Sequence, residues 1–302
     1  MTESARPASA SAAASVHPLP VLLLITLIWV PTLLRLTAEW SLNPQYYYGW
    51  AVPLLTAYLV YERLAFTPTP VPPARVGWVM VFIVLCALPQ LPLRWLGEAN
   101  STSRLVSWAM SLCAGGITAA LLYLSGGRPW VRHFAVLGFL YVAVPWPIFI
   151  EQPLVQGLMR INAQIAAEVV TFAGVPAEAT GNVIHIPTGV LGVNEACSGI
   201  RSLQSTLMAA VFLGLLYQCG VRGCLLLVFS GAVIAFVCNV VRTVFLTWQG
   251  AFHGIEATEK WHDSAGFAIL GVVLVCLWLI SRFLERQETA GREPRAERRE
   301  QG

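Results

Sequence analysis

The chain has 302 residues, of which 56% are hydrophobic and only 12% are charged, and its formal net charge is +3. Soluble domains carry about 25% charged residues, so this composition excludes an ordinary soluble protein. Basic residues are scattered over short loops, which argues against nucleic-acid binding. Apolar runs of about 18 or more residues, the length of a transmembrane helix, recur along the chain. We therefore expect an all-α polytopic membrane protein with about eight transmembrane helices.

The first half of the chain contains five of the expected spans. Residues 1–17 are rich in Ala and Ser and are expected to form a disordered leader. An integral membrane domain is expected over 18–284, followed by a charged, solvated tail at 285–302. The apolar runs predict spans at about 18–36, 47–64, 76–93, 105–124 and 134–150. Pro145 and Pro147 interrupt the last of these runs.

The longest stretch between spans lies at 151–193. Apolar residues there recur at helical spacing and predict an amphipathic helix over about 152–173, either in the interface or against the bundle: Leu154, Leu158, Ile161, Ile165 and Val169. Runs of β-branched residues around a Pro-Thr-Gly turn predict a small β-hairpin at 182–193. Three further spans are expected at 197–217, 224–248 and 265–284, with a loop at 249–264.

The distribution of basic residues predicts the orientation of the chain. Most loop arginines fall in the leader, in the loops that follow even-numbered spans and in the tail. The opposite loops hold only Arg94, Arg104, Arg160 and Lys260. By the positive-inside rule both termini are cytoplasmic, so the amphipathic helix, the hairpin and the 249–264 loop lie on the outer face.

Cys197 is the best candidate for a reactive side chain. The other six cysteines lie within or beside long apolar runs: Cys86, Cys113, Cys219, Cys224, Cys238 and Cys276. Cys197 lies instead among Asn194, Glu195, Ser198 and Arg201, at the start of the sixth predicted span. Partial exposure, a helix N-terminus and a nearby cation all favour a thiolate, whereas Glu195 opposes it unless an arginine neutralises that carboxylate.

Two other polar groups are expected at the depth of Cys197. An arginine within a span costs about 3 kcal/mol and must face a partner or a cavity, and Arg201 and Arg242 both carry that cost. Asn239 precedes Arg242 by three residues and shares its helix face. His262 falls in the loop before the eighth span. A histidine here could transfer a proton and an arginine could hold an oxyanion.

Taken singly, each of these signals also has an ordinary explanation. A membrane arginine such as Arg242 more often serves packing or topology, and a single loop histidine is usually without function. His253 and His262 with Glu256 fit no standard metal signature. The prediction of an active site depends on the coincidence of cysteine, arginine and histidine at one depth.

The same residues resemble a known family, the exosortases and, more distantly, the archaeosortases. The resemblance is carried by three segments in order, 196–202 with Ala-Cys-Ser-Gly-Ile-Arg-Ser, 239–242 with Asn-Val-Val-Arg, and 261–263 with Trp-His-Asp. It extends to the layout of about eight spans and covers approximately residues 20–284. The N-terminal half is matched by hydropathy only.

The resemblance implies an enzyme of the bacterial inner membrane that acts on exported proteins. Family substrates end in a short signal such as Pro-Glu-Pro, a transmembrane helix and an Arg-rich tail. Cys197 would form an acyl-thioester, with no cofactor required. In the family the residue matching Arg242 is assigned as proton donor and the residue matching His262 as transition-state stabiliser. The reverse division is at least as natural, because arginine keeps its proton in proteins. A link to exopolysaccharide machinery is also implied.

Two other functions stay open at this point. The chain could be a transporter or channel that binds an anionic substrate through Arg201 and Arg242, in which case Cys197 would be dispensable. It could also be a membrane thiol protease that only hydrolyses. The absence of an internal repeat between the two halves argues against a transporter.

The sequence also predicts how an extended signal is held. The 152–173 helix and the 182–193 hairpin are expected to form the wall of the binding site. Ile184 and Ile186 are the residues of that wall expected to matter for processing.

Overall fold

Five helical stretches of the described chain are long and apolar enough to cross a bilayer: Pro18–Leu42, Val76–Ala99, Arg104–Ala143, Val221–His253 and Ser264–Gln287. The computed structural model describes residues 17–193 and 199–300, without the side chains of Asp263 and 288–300. The predicted all-α, multi-pass membrane fold is confirmed. The other three predicted spans, 47–64, 134–150 and 197–217, correspond to shorter elements, so the predicted count of eight spans is not confirmed.

The first half begins with a long helix and ends with a longer one, and shorter helices lie between them. In chain order these are α1 (Pro18–Leu42), a 3-10 helix (Pro44–Trp50), α2 (Ala51–Leu64), α3 (Val76–Ala87), α4 (Gln90–Ala99) and α5 (Arg104–His133). The predicted 47–64 span therefore consists of a 3-10 turn and a helix of 14 residues. The predicted 76–93 span is divided between α3 and α4, and Pro89 stands at the division.

The fifth predicted span, 134–150, is not an α-helix. The chain bends at Gly127 and returns along α5 as a 3-10 helix, Phe134–Ala143. The hydroxyl of Tyr141 donates to the carbonyl of Ser111 at 3.1 Å, and the indole of Trp108 donates to the carbonyl of Pro145 at 2.8 Å. The two prolines end the segment, because proline removes a backbone donor and restricts the residue before it.

The next elements are α6 (Ile148–Phe172) and a three-stranded antiparallel sheet, β1 (Glu178–Thr180), β2 (Val183–Ile186) and β3 (Gly189–Gly192), in the order β1-β2-β3. The predicted hairpin is thus β2–β3, with β1 added on the other side of β2. We call the end of the bundle that holds this sheet the sheet end.

α6 is the predicted amphipathic helix, but its buried face differs from the expected stripe. Small and apolar residues face the protein: Val155, Met159, Ala163, Ala166, Ala167 and Val170. Leu154, Ile161 and Val169 of the predicted stripe are exposed instead. Small residues permit close contact with α8 and the sheet, which leaves the larger apolar side chains on the outside of the bundle.

Ile184 and Ile186 are buried on the sheet face that packs against α6. Ile184 is 0% exposed, and both residues share a core cluster with Val155 and Met159. Ile184 and Ile186 therefore belong to the core beneath the hairpin, and an effect of either residue on processing would act through the packing of the sheet on α6. Their place in the core follows from the period of two along a strand, which puts residues 184 and 186 on one face.

The last three helices are α7 (Ile200–Leu216), α8 (Val221–His253) and α9 (Ile255–Glu300). The predicted loop at 249–264 is wrong, because Gly254 alone separates α8 from α9. Its φ of 86° turns the chain, and the N–H of Ala257 donates to the Gly254 carbonyl to start the next helix. His262 consequently lies on α9, on the helix that packs along α8.

Candidate active site

Arg242 and His262 are in direct contact. Nη2 of Arg242 on α8 lies 3.0 Å from Nε2 of His262 on α9 and 3.1 Å from the His262 carbonyl oxygen. Both side chains are half-buried. Gly266 on α9 lies beside the guanidinium, at a distance where a Cβ would make an ordinary van der Waals contact, 3.6 Å from Nη2. The two helices thus bring together two residues that the sequence places twenty positions apart.

The direction of this hydrogen bond follows from the chemistry of the guanidinium. A guanidinium has five donors and no acceptor, so Arg242 donates and Nε2 of His262 accepts. Nε2 therefore offers a lone pair in this contact, and a ring nitrogen with a lone pair is an atom that can take up a proton.

Asn239 lies one helical turn before Arg242 and contacts the start of α7. It is 2% exposed. Gly199, the residue before α7, has a φ of 82°, and a Cβ there would lie 2.6 Å from Cγ of Asn239. Both the positive φ and the close approach require glycine at this position. The contact holds the beginning of α7 against the stretch of α8 that carries Arg242.

The remaining predicted site residues are not part of this pair. Asn194, Glu195 and Cys197 lie outside the described residues. Arg201 is exposed on the first turn of α7. Within the described part of the chain, no hydrogen bond or ion pair connects Arg201 with Arg242 or His262. Arg201 therefore differs from Arg242, although the same cost of membrane insertion was expected for both arginines.

A groove of about 450 Å³ lies beside His262. Four residues of the sheet line it, Val190, Leu191, Gly192 and Val193, together with α8 and α9 residues that include Thr243, Thr258, Glu259 and His262. The lining sheet residues come from both faces of β3, and none comes from β2. The groove therefore runs along the free edge of β3, and we call it the β3 groove.

A second polar cluster at the sheet end was not predicted. Arg104, at the start of α5, forms ion pairs with Glu151 at 2.8 Å and Glu39 at 2.9 Å. Its guanidinium also lies 5.2 Å from the centre of the Tyr46 ring. The Tyr46 hydroxyl donates to the Glu151 carboxylate. The cluster joins four elements, α1, the first 3-10 helix, α5 and α6.

The cluster also reaches α7. Nε2 of Gln204 donates to the Tyr46 hydroxyl at 3.4 Å, and Gln204 is 1% exposed. Burial, with the nearby Glu151 carboxylate as a smaller cause, raises the pKa of Tyr46 well above its ordinary value. The hydroxyl therefore stays protonated and remains a donor to Glu151. Because α7 follows directly on the segment with Cys197, this network fixes the helix that leads to the candidate nucleophile.

The sequence did contain a signal for this network. Glu151 is an acidic residue in a strongly apolar region, and such a residue needs a partner. Arg104 entered the sequence analysis only as a loop charge. The pairing of two residues 47 positions apart could not be derived from helical spacing.

Comparison with known proteins identifies a family. A family model described as transmembrane exosortase matches residues 40–279. This range includes the Arg242–His262 pair, Asn239, the sheet and the segment with Cys197. Neither the curated proteins nor the solved structures include a match.

Proposed function

Because the chain belongs to the transmembrane exosortase family, we propose that it is a cysteine transpeptidase that processes the C-terminal sorting signals of exported proteins. Cys197 is the proposed nucleophile, and Arg242 and His262 are the proposed groups that assist it. The observation that supports this assignment best is the contact between Nη2 of Arg242 and Nε2 of His262. It joins a fixed cation to a proton acceptor at one site.

Chain connectivity supports the place of Cys197 in this site. Cys197 precedes Gly199 by two residues, and two residues of chain span at most about 7 Å. Gly199 contacts Asn239, which lies one turn from Arg242 on the same helix. This connectivity supports the proposal that the thiol acts together with the Arg242–His262 pair.

The first half of the proposed reaction forms the acyl-enzyme. The substrate carbonyl takes a hydrogen bond from Arg242, which releases Nε2 of His262. His262 then accepts the proton of the Cys197 thiol, and the thiolate attacks the carbonyl carbon. Arg242 stabilises the resulting oxyanion as a permanent cation. The imidazolium gives its proton to the leaving nitrogen, the C–N bond breaks, and the C-terminal helix departs from an acyl-thioester.

The second half transfers the acyl group. An acceptor amine or a water molecule gives its proton to His262 while it attacks the thioester carbonyl. The C–S bond breaks, and the Cys197 thiolate takes the proton back from the imidazolium. In this division His262 transfers protons and Arg242 stabilises charge. This division of roles is supported by the direction of the hydrogen bond, because Arg242 donates and Nε2 of His262 accepts.

The proposed orientation places the sheet end on the outer face of the bacterial inner membrane, with both termini cytoplasmic. The positive-inside distribution of arginines supports it. A substrate anchored by one helix would then present the outer end of that helix at the level of Arg242 and His262. Exported proteins with a signal, a membrane helix and an Arg-rich tail are the proposed partners, and the exopolysaccharide machinery is a proposed functional link.

A comparison of protein C-termini tests this function. Source cells are compared with a Cys197→Ala strain by mass spectrometry. Proteins that end in an apolar helix and an Arg-rich tail should accumulate intact only in the mutant. If the two C-terminal profiles are the same while the variant is present and inserted, Cys197 is not a processing nucleophile. An anion transporter that uses Arg242 would then be the better explanation.

A further inference from the structure

The free edge of β3 presents unpaired backbone groups to the β3 groove. β3 pairs with β2 in the register His185↔Val190 and Val183↔Gly192, and the N–H of Val193 donates to the Asn182 carbonyl. Since N–H groups alternate in direction along an antiparallel pair, those of Val190 and Gly192 point away from β2. Among the described residues, no hydrogen bond connects these backbone groups with another part of the chain.

We propose that the extended sorting signal binds in the β3 groove as an additional strand beside β3. This inference rests on the proposed function and names the binding site for its substrate. Alternating backbone donors and acceptors along a strand edge match another extended backbone, which is how many proteins bind peptides. Backbone hydrogen bonds along such an edge provide affinity, and the side chains that line the groove select the sequence of the bound peptide.

The position of the groove leads such a strand to the candidate catalytic pair. At one end of β3, a Cβ on Gly189 would lie 2.6 Å from Cδ1 of Ile255, and Thr188 donates to the carbonyl of Gly250 at the turn between α8 and α9. At the other end, Val193 packs in one cluster with Ile200 and Val244. His262 lines the groove. The edge of β3 therefore runs from the turn between α8 and α9 toward the depth of Arg242.

The direction of the bound strand follows from the proposed orientation. The exported part of the substrate lies outside the membrane, and its helix continues inward from the cleaved bond. β3 itself runs inward, from Gly189 to Val193. The signal would accordingly run parallel to β3, with its last residues near His262. A parallel pair uses the same outward groups of Val190 and Gly192.

Side chains in the groove would select the signal. Val190 is 53% exposed beside the edge, and Gly192 has no side chain, which leaves space for a bulky neighbour. Thr243 and Thr258 are buried in the wall. Both threonine hydroxyls donate to carbonyls of α8, Asn239 and Leu246 respectively. Glu259 supplies a carboxylate to the described lining of the groove.

Proline substitutions test the role of the edge without changing the ladder to β2. Val190→Pro and Gly192→Pro each remove an outward N–H, and proline is tolerated at edge strands. Val190→Ala and Gly192→Ala keep that N–H and serve as matched controls. At each position proline should slow processing about tenfold more than alanine does, because only proline removes the hydrogen bond while both variants lose the native side chain. Equal processing by proline and alanine variants that are present in equal amounts would overturn the inference.

Photocrosslinking tests the same site in a protein whose β3 strand keeps all of its backbone N–H groups. A benzophenone amino acid is introduced at Val190 in the Cys197→Ala background. Proteins that end in an apolar helix and an Arg-rich tail, here called tailed proteins, should accumulate in this background and occupy the site. The control position is Glu178 on β1, an exposed residue at the opposite edge of the sheet. Crosslinks to the tailed proteins are expected at Val190 and not at Glu178. Crosslinks that are absent at Val190, or equal at the two positions, would contradict strand addition at β3.

The two experiments separate this inference from the proposed function. If Cys197→Ala causes no tailed protein to accumulate, the function itself is wrong. Suppose that tailed proteins accumulate in the Cys197→Ala strain but are not crosslinked at Val190, and that the proline variants process them as the alanine variants do. The proposed function is then retained and only the β3 binding site is wrong.

Discussion

One nitrogen of Arg242, Nη2, lies within hydrogen-bond distance of both Nε2 and the carbonyl oxygen of His262. The guanidinium therefore holds His262 in position through its side chain and its backbone. The contact between the rings of Phe245 and Trp261, 6.0 Å apart, also joins α8 and α9.

Arg242→Lys should lower processing about 100-fold, the loss found when one oxyanion donor is removed. Lysine keeps the charge but lacks the planar donors that reach two acceptors of His262. Arg222→Lys is the matched control, because Arg222 is an exposed residue on the same helix. The measurement is the processed fraction of a tailed protein. Equal effects of the two substitutions would show that Arg242 contributes only charge or topology.

Gly199→Ala should destabilise the start of α7 by about 1–3 kcal/mol, because an L-residue at a φ of 82° is strained. The added Cβ would also meet the amide group of Asn239. Processing should fall together with thermal stability in detergent. Gly271→Ala on α9 is the control, since nothing lies within 4 Å of a Cβ there. A Gly199→Ala protein that melts and processes like Gly271→Ala would contradict the close contact with α8.

Tyr46→Phe should lower the free energy of unfolding by about 1–3 kcal/mol, because it leaves a buried carboxylate with one partner fewer. Tyr47→Phe is the control in the same 3-10 helix, where Tyr47 is 55% exposed. Thermal unfolding in detergent measures both variants. Similar melting temperatures for the two would show that the Tyr46–Glu151 contact contributes little.

The same variant has a defined pH dependence. The pKa of Tyr46 is raised in the folded protein, so its stabilising contribution is complete below the ordinary tyrosine pKa of about 10 and is lost only as the pH rises through the folded value. The difference in stability between wild type and Tyr46→Phe should therefore be constant from about pH 6 to pH 9. A difference that declines within this range would mean that the hydroxyl titrates there.

Much of the fold follows from local patterns in the sequence. Apolar runs located α1, α5 and α8 because a membrane helix needs about 20 apolar residues whatever its neighbours are. The β2–β3 hairpin followed from β-branched residues around a turn signal. α6 was predicted as a helix, yet its buried face was not, because in a membrane protein both the lipid side and the packed side of a helix can be apolar.

The elements that the sequence misplaced depend on tertiary contacts. Residues 255–264 contain several charges and appeared to be a loop, but packing on α8 holds them in a helix from Ile255 onward. The Arg242–His262 pair was expected from depth alone, and its direct contact depends on that helix. The Tyr46–Glu151 contact joins residues 105 positions apart, for which a single sequence gives no spacing rule.

The most direct test of the account is detection of the acyl-enzyme on Cys197. The enzyme is isolated from cells in which the acceptor is limiting, digested, and the peptide that contains Cys197 is examined by mass spectrometry with and without hydroxylamine. The account predicts that this peptide carries the C-terminal residues of a processed protein through a hydroxylamine-sensitive thioester, and that Arg242→Lys lowers its amount. Continued processing of tailed proteins in the Cys197→Ala strain, with no such adduct in wild type, would contradict it.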